Sequence, residues 1–199
     1  MIFTISFSVL IIIIFILDSF FLIPENAGVT PKEKFFTGHN KGYINRALHL
    51  SDEKIKKGEI WRLVSSALLH VGTPHIITNT AAFLIVGYAV ESQLGAVKTL
   101  ICYVVSALAS GLFMAFVYKL HEGEGASPGI FGLIAVFIIL AVKNGNLMFS
   151  GLPVFALVIL GIYILTGFFG GKTTLCEHLS GFAGGALAGI VLIGGIFPD

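Results

Sequence analysis

Gly125-Ala126-Ser127-Pro128-Gly129-Ile130-Phe131-Gly132 opens an apolar run that continues to about Val142. About 16 residues at about 1.5 Å rise per residue reach roughly 24 Å. The hydrocarbon core of a bilayer is about 30 Å thick. A helix this short starts below the membrane surface and draws the irregular Gly125-Ala126 backbone in after it. Irregular backbone at that depth persists only against protein or a water-filled cavity. The stretch therefore reads as a membrane helix whose serine-bearing mouth sits in a polar, hydrated hollow.

The rest of the chain agrees with a membrane setting. Of 199 residues, 56% are hydrophobic and 12% charged, and the mean hydropathy is +0.95. Soluble domains carry about 25% charged residues. The fold class is an all-α polytopic membrane protein, with membrane lipid as its surroundings. A net charge of +1 gives no electrostatic case for a nucleic-acid partner. Cys102 and Cys176 form no C-x-x-C pair, and Cys102 lies in an apolar run, so no disulfide framework is expected. No metal site or cofactor is expected. A cleaved signal peptide is not expected either, because the first apolar run, Ile2 to Pro24, lacks a basic leading segment and is long enough to span.

Six spans are predicted: Ile2 to Leu22, Pro74 to Glu91, Val97 to Leu120, Ser127 to Val142, Met148 to Phe169 and His178 to Ile196. A long loop, about residues 24–61, holds most of the charge and is expected to carry short interfacial helices. Thr73 followed by Pro74 reads as an N-cap with proline at the first helical position. The second, fourth and sixth spans run in the same direction, so His75, Ser127 and His178 share one side of the bilayer. In the sixth span Gly181, Gly185 and Gly189 recur every fourth residue, a spacing that lets helix backbones approach closely. His178 lies on the same face. Packing this face on Gly129 and Gly132 of the fourth span would bring the imidazole towards the Ser127 hydroxyl. Phe131, one turn below, would then lie against the imidazole.

Those residue types suit nucleophilic chemistry. Serine is the nucleophile and histidine the base, and His75 and Asn79, four residues apart on one helix face, are donors for an oxyanion. Glu177 is expected to point away, leaving a dyad oriented by packing. Each residue also has a plainer reading. Ser127-Pro128 alone is a helix N-cap followed by proline. His178 alone is an interfacial histidine, and the glycines are packing in any case. Trp61-Arg62 reads as an aromatic anchor and a guanidinium bonding loop carbonyls, Glu91 as a helix-end hydrogen bonder, and His70 as structural.

Taken in order, Trp61-Arg62, His70, His75 and Asn79, Glu91-Ser92-Gln93-Leu94-Gly95, Gly125-Ala126-Ser127 with Gly132, and His178 with Gly181 and Gly185 resemble the rhomboid family of intramembrane serine proteases. The motif-bearing core covers about residues 58–196 of a single membrane domain spanning 1–199. The resemblance implies a six-helix bundle that cleaves single-span transmembrane proteins, with Ser127 as nucleophile and His178 as base. His75, Asn79 and the Ser127 backbone N–H would line the oxyanion hole, with Phe131, Gly125, Gly181 and Gly185 in support. It also nominates the fifth span, with Phe155, Tyr163, Phe168 and Phe169, as the element admitting substrate. Where the family often has glycine after the serine, this chain has Pro128, which removes one N–H. The family orientation places the basic first loop outside the cytoplasm, against the positive-inside tendency. A bacterial plasma membrane is the expected location. The competing readings are a non-proteolytic relative that binds membrane helices, and a transporter or haem-binding bundle using His70, His75 and His178.

Overall fold

A computed structural model describes residues 1–22, 30–37, 42–145 and 154–194. Among these, every regular element is helical: α1 (Ile2–Ile16, continued by a π-helical turn Leu17–Phe21), α2 (Pro31–Thr37), α3 (Tyr43–Leu48), α4 (Asp52–Lys56), α5 (Arg62–Ser65), α6 (Gly72–Leu112, continued to Tyr118), α7 (Ser127–Lys143), α8 (Val154–Phe169) and α9 (Lys172–Ile193).

Among the described residues, three helical stretches are long and apolar enough to cross a membrane: Ile2–Phe21, Gly72–Tyr118 and Lys172–Ile193. The middle one has 47 residues. At about 1.5 Å per residue it would reach roughly 70 Å, more than twice a bilayer core. It is broken at Gly95, whose φ of 76° lies in the left-handed region that glycine alone enters cheaply. The two halves, 72–94 and 96–118, correspond to the second and third predicted spans. Glu91, just before the break, accepts hydrogen bonds from the Phe3 and Thr4 backbone N–H groups and from the Thr4 hydroxyl, tying the start of α1 to the bundle.

α7 is the central helix. Ile130, Leu133 and Val136 are fully buried, and burial extends to nearly every face, the pattern of a helix hydrophobic all round. It packs most extensively on α9, and α6 lies against both. The glycine spacing accounts for this. A Cβ at Gly181 would sit 2.7 Å from Pro128 Cα, and one at Gly185 2.5 Å from the Gly132 carbonyl carbon. α8, by contrast, exposes Val158, Ile162, Leu165, Phe168 and Phe169.

Three expectations need correction. α9 begins at Lys172, so His178 stands in its second turn and does not open the helix. Gly171, at φ 97°, starts the helix ahead of the polar residues 172–177, which are helical without being lipid-like. Thr73 is not an N-cap. α6 starts at Gly72, and the Thr73 hydroxyl instead donates to the Phe35 carbonyl in α2. Ser127 is not the N-cap of α7 but its first helical residue, the cap position falling to Ala126. Of the fifth predicted span, residues 148–153 lie outside the described residues, as does the end of the sixth.

Candidate active site

The turn that carries Ser127 is held from the loop side. Leu50 and Gly123 exchange backbone hydrogen bonds of 2.8 and 3.2 Å, and the Gly125 N–H donates to the Ser66 carbonyl at 3.0 Å. That loop is itself fixed by Arg62, 3% exposed, whose guanidinium donates to the carbonyls of Arg46 and His49, the carbonyl-bonding role its sequence position suggested. Gly125 has φ 142°, and a Cβ there would lie 3.0 Å from His75 Cε1, 3.2 Å from His75 Nε2 and 3.7 Å from Ser127 Oγ. A side chain at this position would therefore fill the space on which the His75 ring and the Ser127 hydroxyl converge. Ser127 is the first helical residue and followed by proline, so its backbone N–H is among those a helix start leaves without a helical partner.

The His75 ring is oriented for donation. Its Nδ1 accepts from the Val71 N–H at 3.3 Å, so in the neutral ring Nε2 carries the proton. His70, buried at 3% exposure, packs edge-on against it with ring centroids 5.2 Å apart. Asn79 is 1% exposed. Its Nδ2 donates to the His75 carbonyl at 2.9 Å, and its Oδ1 accepts from the Tyr163 hydroxyl at 2.8 Å. The amide is thus fixed, with its second N–H unspent.

His178, 6% exposed, stacks on Phe131 with centroids 4.0 Å apart and planes 12° apart, the contact expected of Phe131. Gly167 of α8 closes one edge of the stack: a Cβ there would lie 2.7 Å from Phe131 Cζ and 2.8 Å from His178 Nδ1. Tyr163 continues the aromatic row, its ring 5.6 Å from Phe131.

One cavity of about 270 Å³ is lined by Ser127, His178, His75 and Asn79 together, with Tyr163, Thr166 and Gly167 of α8 on its far wall. All four sequence-predicted chemical residues therefore face one space, presented by α6, α7 and α9. Phe131 stacks on His178, Gly125 lies beside His75 and Ser127, and Gly181 and Gly185 lie where α9 meets α7. The sequence reading missed three things. Tyr163 bonds Asn79, a pairing across 84 residues with no local signal. Gly167 seats α8 on the histidine, and glycine at that point in the fifth span was the available hint. Glu177, expected to point away, lines the same cavity as His178, together with Glu124. Among the described residues, no group of three or more His, Cys, Asp or Glu side chains is arranged to hold a metal ion.

The family model for the rhomboid domain matches residues 57–195. The chain belongs to the rhomboid family. Among its relatives, the rhomboid protease GluP of Bacillus subtilis is 30% identical over 173 residues, 87% of this chain, of which the chain spans only 32%. The putative rhomboid protease YdcA of the same organism is 26% identical over 175 residues, 87% of this chain and 81% of its own length. The inactive RHOMBOID-like protein 8 of Arabidopsis thaliana is 30% identical over 112 residues, 55% of this chain and 32% of its own. This rhomboid is an integral membrane protein with several apolar helices, related to intramembrane proteases and to at least one member named inactive.

Proposed function

We propose that this rhomboid is an active serine endopeptidase that cuts transmembrane segments of single-span membrane proteins through a Ser127–His178 dyad. The observation that carries the reading is the shared cavity, in which Ser127, His178, His75 and Asn79 face one another while Phe131 holds the imidazole by stacking. Proteases among its relatives support the same reading.

The bundle spans the bilayer six times, as a single domain, with α6 contributing two crossings around Gly95. In the reaction Ser127 Oγ bonds to the scissile carbonyl carbon while its proton passes to the free imidazole nitrogen of His178. The carbonyl oxygen becomes an oxyanion, held by His75 Nε2–H, the unspent Asn79 N–H and the Ser127 backbone N–H. The C–N bond then breaks as His178 returns the proton to the leaving amine. Water attacks the acyl-enzyme with His178 again as base, and release of the acid restores the Ser127 hydroxyl. The substrate is a helix with small or helix-breaking residues near the cut, since only an unwound segment exposes its peptide bond. The location is a bacterial plasma membrane.

Cleavage of a single-span model substrate in liposomes tests this. Ser127→Ala and His178→Ala should each abolish it while leaving thermal stability close to wild type. Retained cleavage by pure Ser127→Ala protein refutes the dyad. Failure of a fluorophosphonate to label Ser127 in wild type leaves a non-proteolytic helix-binding relative as the better account.

A further inference from the structure

Every other recessed carboxylate among the described residues has a partner within the chain. Asp18 accepts from the Ile44 and Asn45 N–H groups, Asp52 pairs with Lys56, Glu91 takes Thr4, and Glu124 takes the Asn45 amide. Glu177 is the exception. It is half-buried, and its carboxylate makes no hydrogen bond or ion pair with any described residue. Its neighbours hold only its backbone carbonyl, which accepts from Ser110 and Ser180. One carboxylate oxygen lies 3.3 Å from where a Cβ at Gly123 would sit, over the strand of loop that leads to Ser127. Glu177 lines the cavity that holds Ser127 and His178, and also a smaller hollow beside it with Gly123, Glu124 and Gly125.

A partly desolvated charge without a counter-charge destabilises the protein that carries it. The wall of this cavity holds two carboxylates, Glu124 and Glu177, and no lysine or arginine. A second cavity of about 360 Å³ also touches His178 and is otherwise lined by apolar residues of α7, α8 and α9, among them Ile134, Ile164, Leu175 and Phe182. The two cavities thus differ in kind. One takes apolar groups, and the other presents a carboxylate with no cationic partner among the described residues.

We propose that Glu177 is a specificity-determining residue that binds a lysine or arginine of the substrate close to the scissile bond. The assignment rests on the protease reading and names its substrate class: transmembrane segments with a basic residue flanking the cut. The substrate cation supplies the missing partner in a water-poor setting, where charge-assisted hydrogen bonds are strong. Glu124, anchored by Asn45, adds to the negative field without being the principal contact. A glutamate at the same substrate position meets like charge and is rejected.

The test is a single-span model substrate in liposomes, carrying arginine, alanine or glutamate in turn at each of the four positions either side of the cut. At the responsive position, wild type should show kcat/KM for arginine over alanine of about tenfold, the scale of one charge-assisted hydrogen bond, and a larger ratio over glutamate. Glu177→Gln should bring the arginine-to-alanine ratio close to one. Glu177→Lys should invert the order of arginine and glutamate. Each ratio is taken within one variant, so a general loss of activity cancels. Ratios near one at every position in wild type, or a preference that survives in Glu177→Gln, overturn the assignment. Should wild type leave even the alanine substrate uncut, the protease reading fails by itself. Fluorescence anisotropy of the labelled arginine and glutamate substrates bound in micelles then gives the same ratios as Kd values and still decides the role of Glu177.

Discussion

Replacing single glycines of α9 by alanine should produce a graded response, because each added methyl meets a different neighbour. At Gly185 the Cβ would lie 2.5 Å from the carbonyl carbon of Gly132, and at Gly181 it would lie 2.7 Å from Pro128 Cα and 2.8 Å from its carbonyl carbon. Ordinary carbon–carbon contact needs about 3.5–4.0 Å, so α7 and α9 must part by about 1 Å in either variant. The obstruction is backbone, which cannot swing aside as a side chain does. Overpacking of this kind costs about 1–3 kcal/mol, against a gain of about 0.5–1 kcal/mol for alanine over glycine inside a helix. The net expected loss is about 1–2 kcal/mol. At Gly189 the Cβ would come closest to the ends of Val136 and Ile139, both at 3.2 Å, with the Val136 Cα at an ordinary 3.6 Å. Those ends can yield, so Gly189→Ala should be neutral or slightly stabilising. Activity should separate the variants further. α7 carries Ser127 and α9 carries His178, and a misplacement of about 1 Å between reacting groups lowers rates about a hundredfold. Thermal unfolding in detergent and cleavage in liposomes should therefore rank Gly189→Ala near wild type, with Gly181→Ala and Gly185→Ala well below. A Gly185→Ala protein as stable and as active as Gly189→Ala would refute the claim that backbone contact sets the Ser127–His178 geometry.

Two further outcomes follow from other contacts. Tyr163→Phe removes the hydroxyl that donates to Asn79 Oδ1 at 2.8 Å; losing about 1 kcal/mol of orientation should lower kcat about fivefold with little change in KM, and an unchanged kcat would show that the Asn79 amide needs no such support. Asp52 lies in the loop outside the spans, and the hydrogen bond from Lys56, together with the charges of Lys56 and His121, holds its carboxyl below the ordinary carboxylate range. A carboxyl depressed in the folded state stabilises above its unfolded pKa of about 4 and loses that contribution as pH falls through the folded value. Melting temperature measured from pH 7 to pH 3 should fall more steeply for wild type than for Asp52→Asn, and parallel curves would remove Asp52 from the account.

The candidate site was legible in the sequence to the extent that the bilayer simplifies the problem. Long apolar runs mark candidate crossings, the parity of the six predicted assigns His75, Ser127 and His178 to one side, and glycine spacing picks the faces expected to meet. Hydropathy reports where lipid begins, however, and not where a helix begins. Lys172 to Glu177 include enough polar residues to look like loop, so the predicted span starts six residues late, and helix direction alone points Glu177 away from His178. Thr73 and Ser127 looked like caps because capping is a local rule. Thr73 found a tertiary acceptor in Phe35 instead, and Ser127 became helical under Ala126. The Tyr163–Asn79 bond joins α8 to α6 with no periodicity to announce it.

The way His178 is held also bears on how such a site can work without a third acidic member. Among the described residues, no carboxylate hydrogen-bonds the imidazole. A carboxylate placed there would have to be desolvated beside a largely buried ring, and its charge would favour the imidazolium before the substrate arrives. Phe131 fixes the ring plane by stacking, and Gly167 brings α8 against Phe131 and the Nδ1 edge. Neither contact adds charge beside the ring, and a base must be neutral before it accepts a proton. The orientation then rests on contacts that carry no formal charge. Phe131→Leu keeps bulk and apolarity but lacks a flat face for the imidazole. On the proposed mechanism it should lower kcat by about tenfold or more, within the range set by small losses of alignment, while melting temperature and KM stay near wild type. A Phe131→Leu enzyme with unchanged kcat would mean that something other than the aromatic face orients the base.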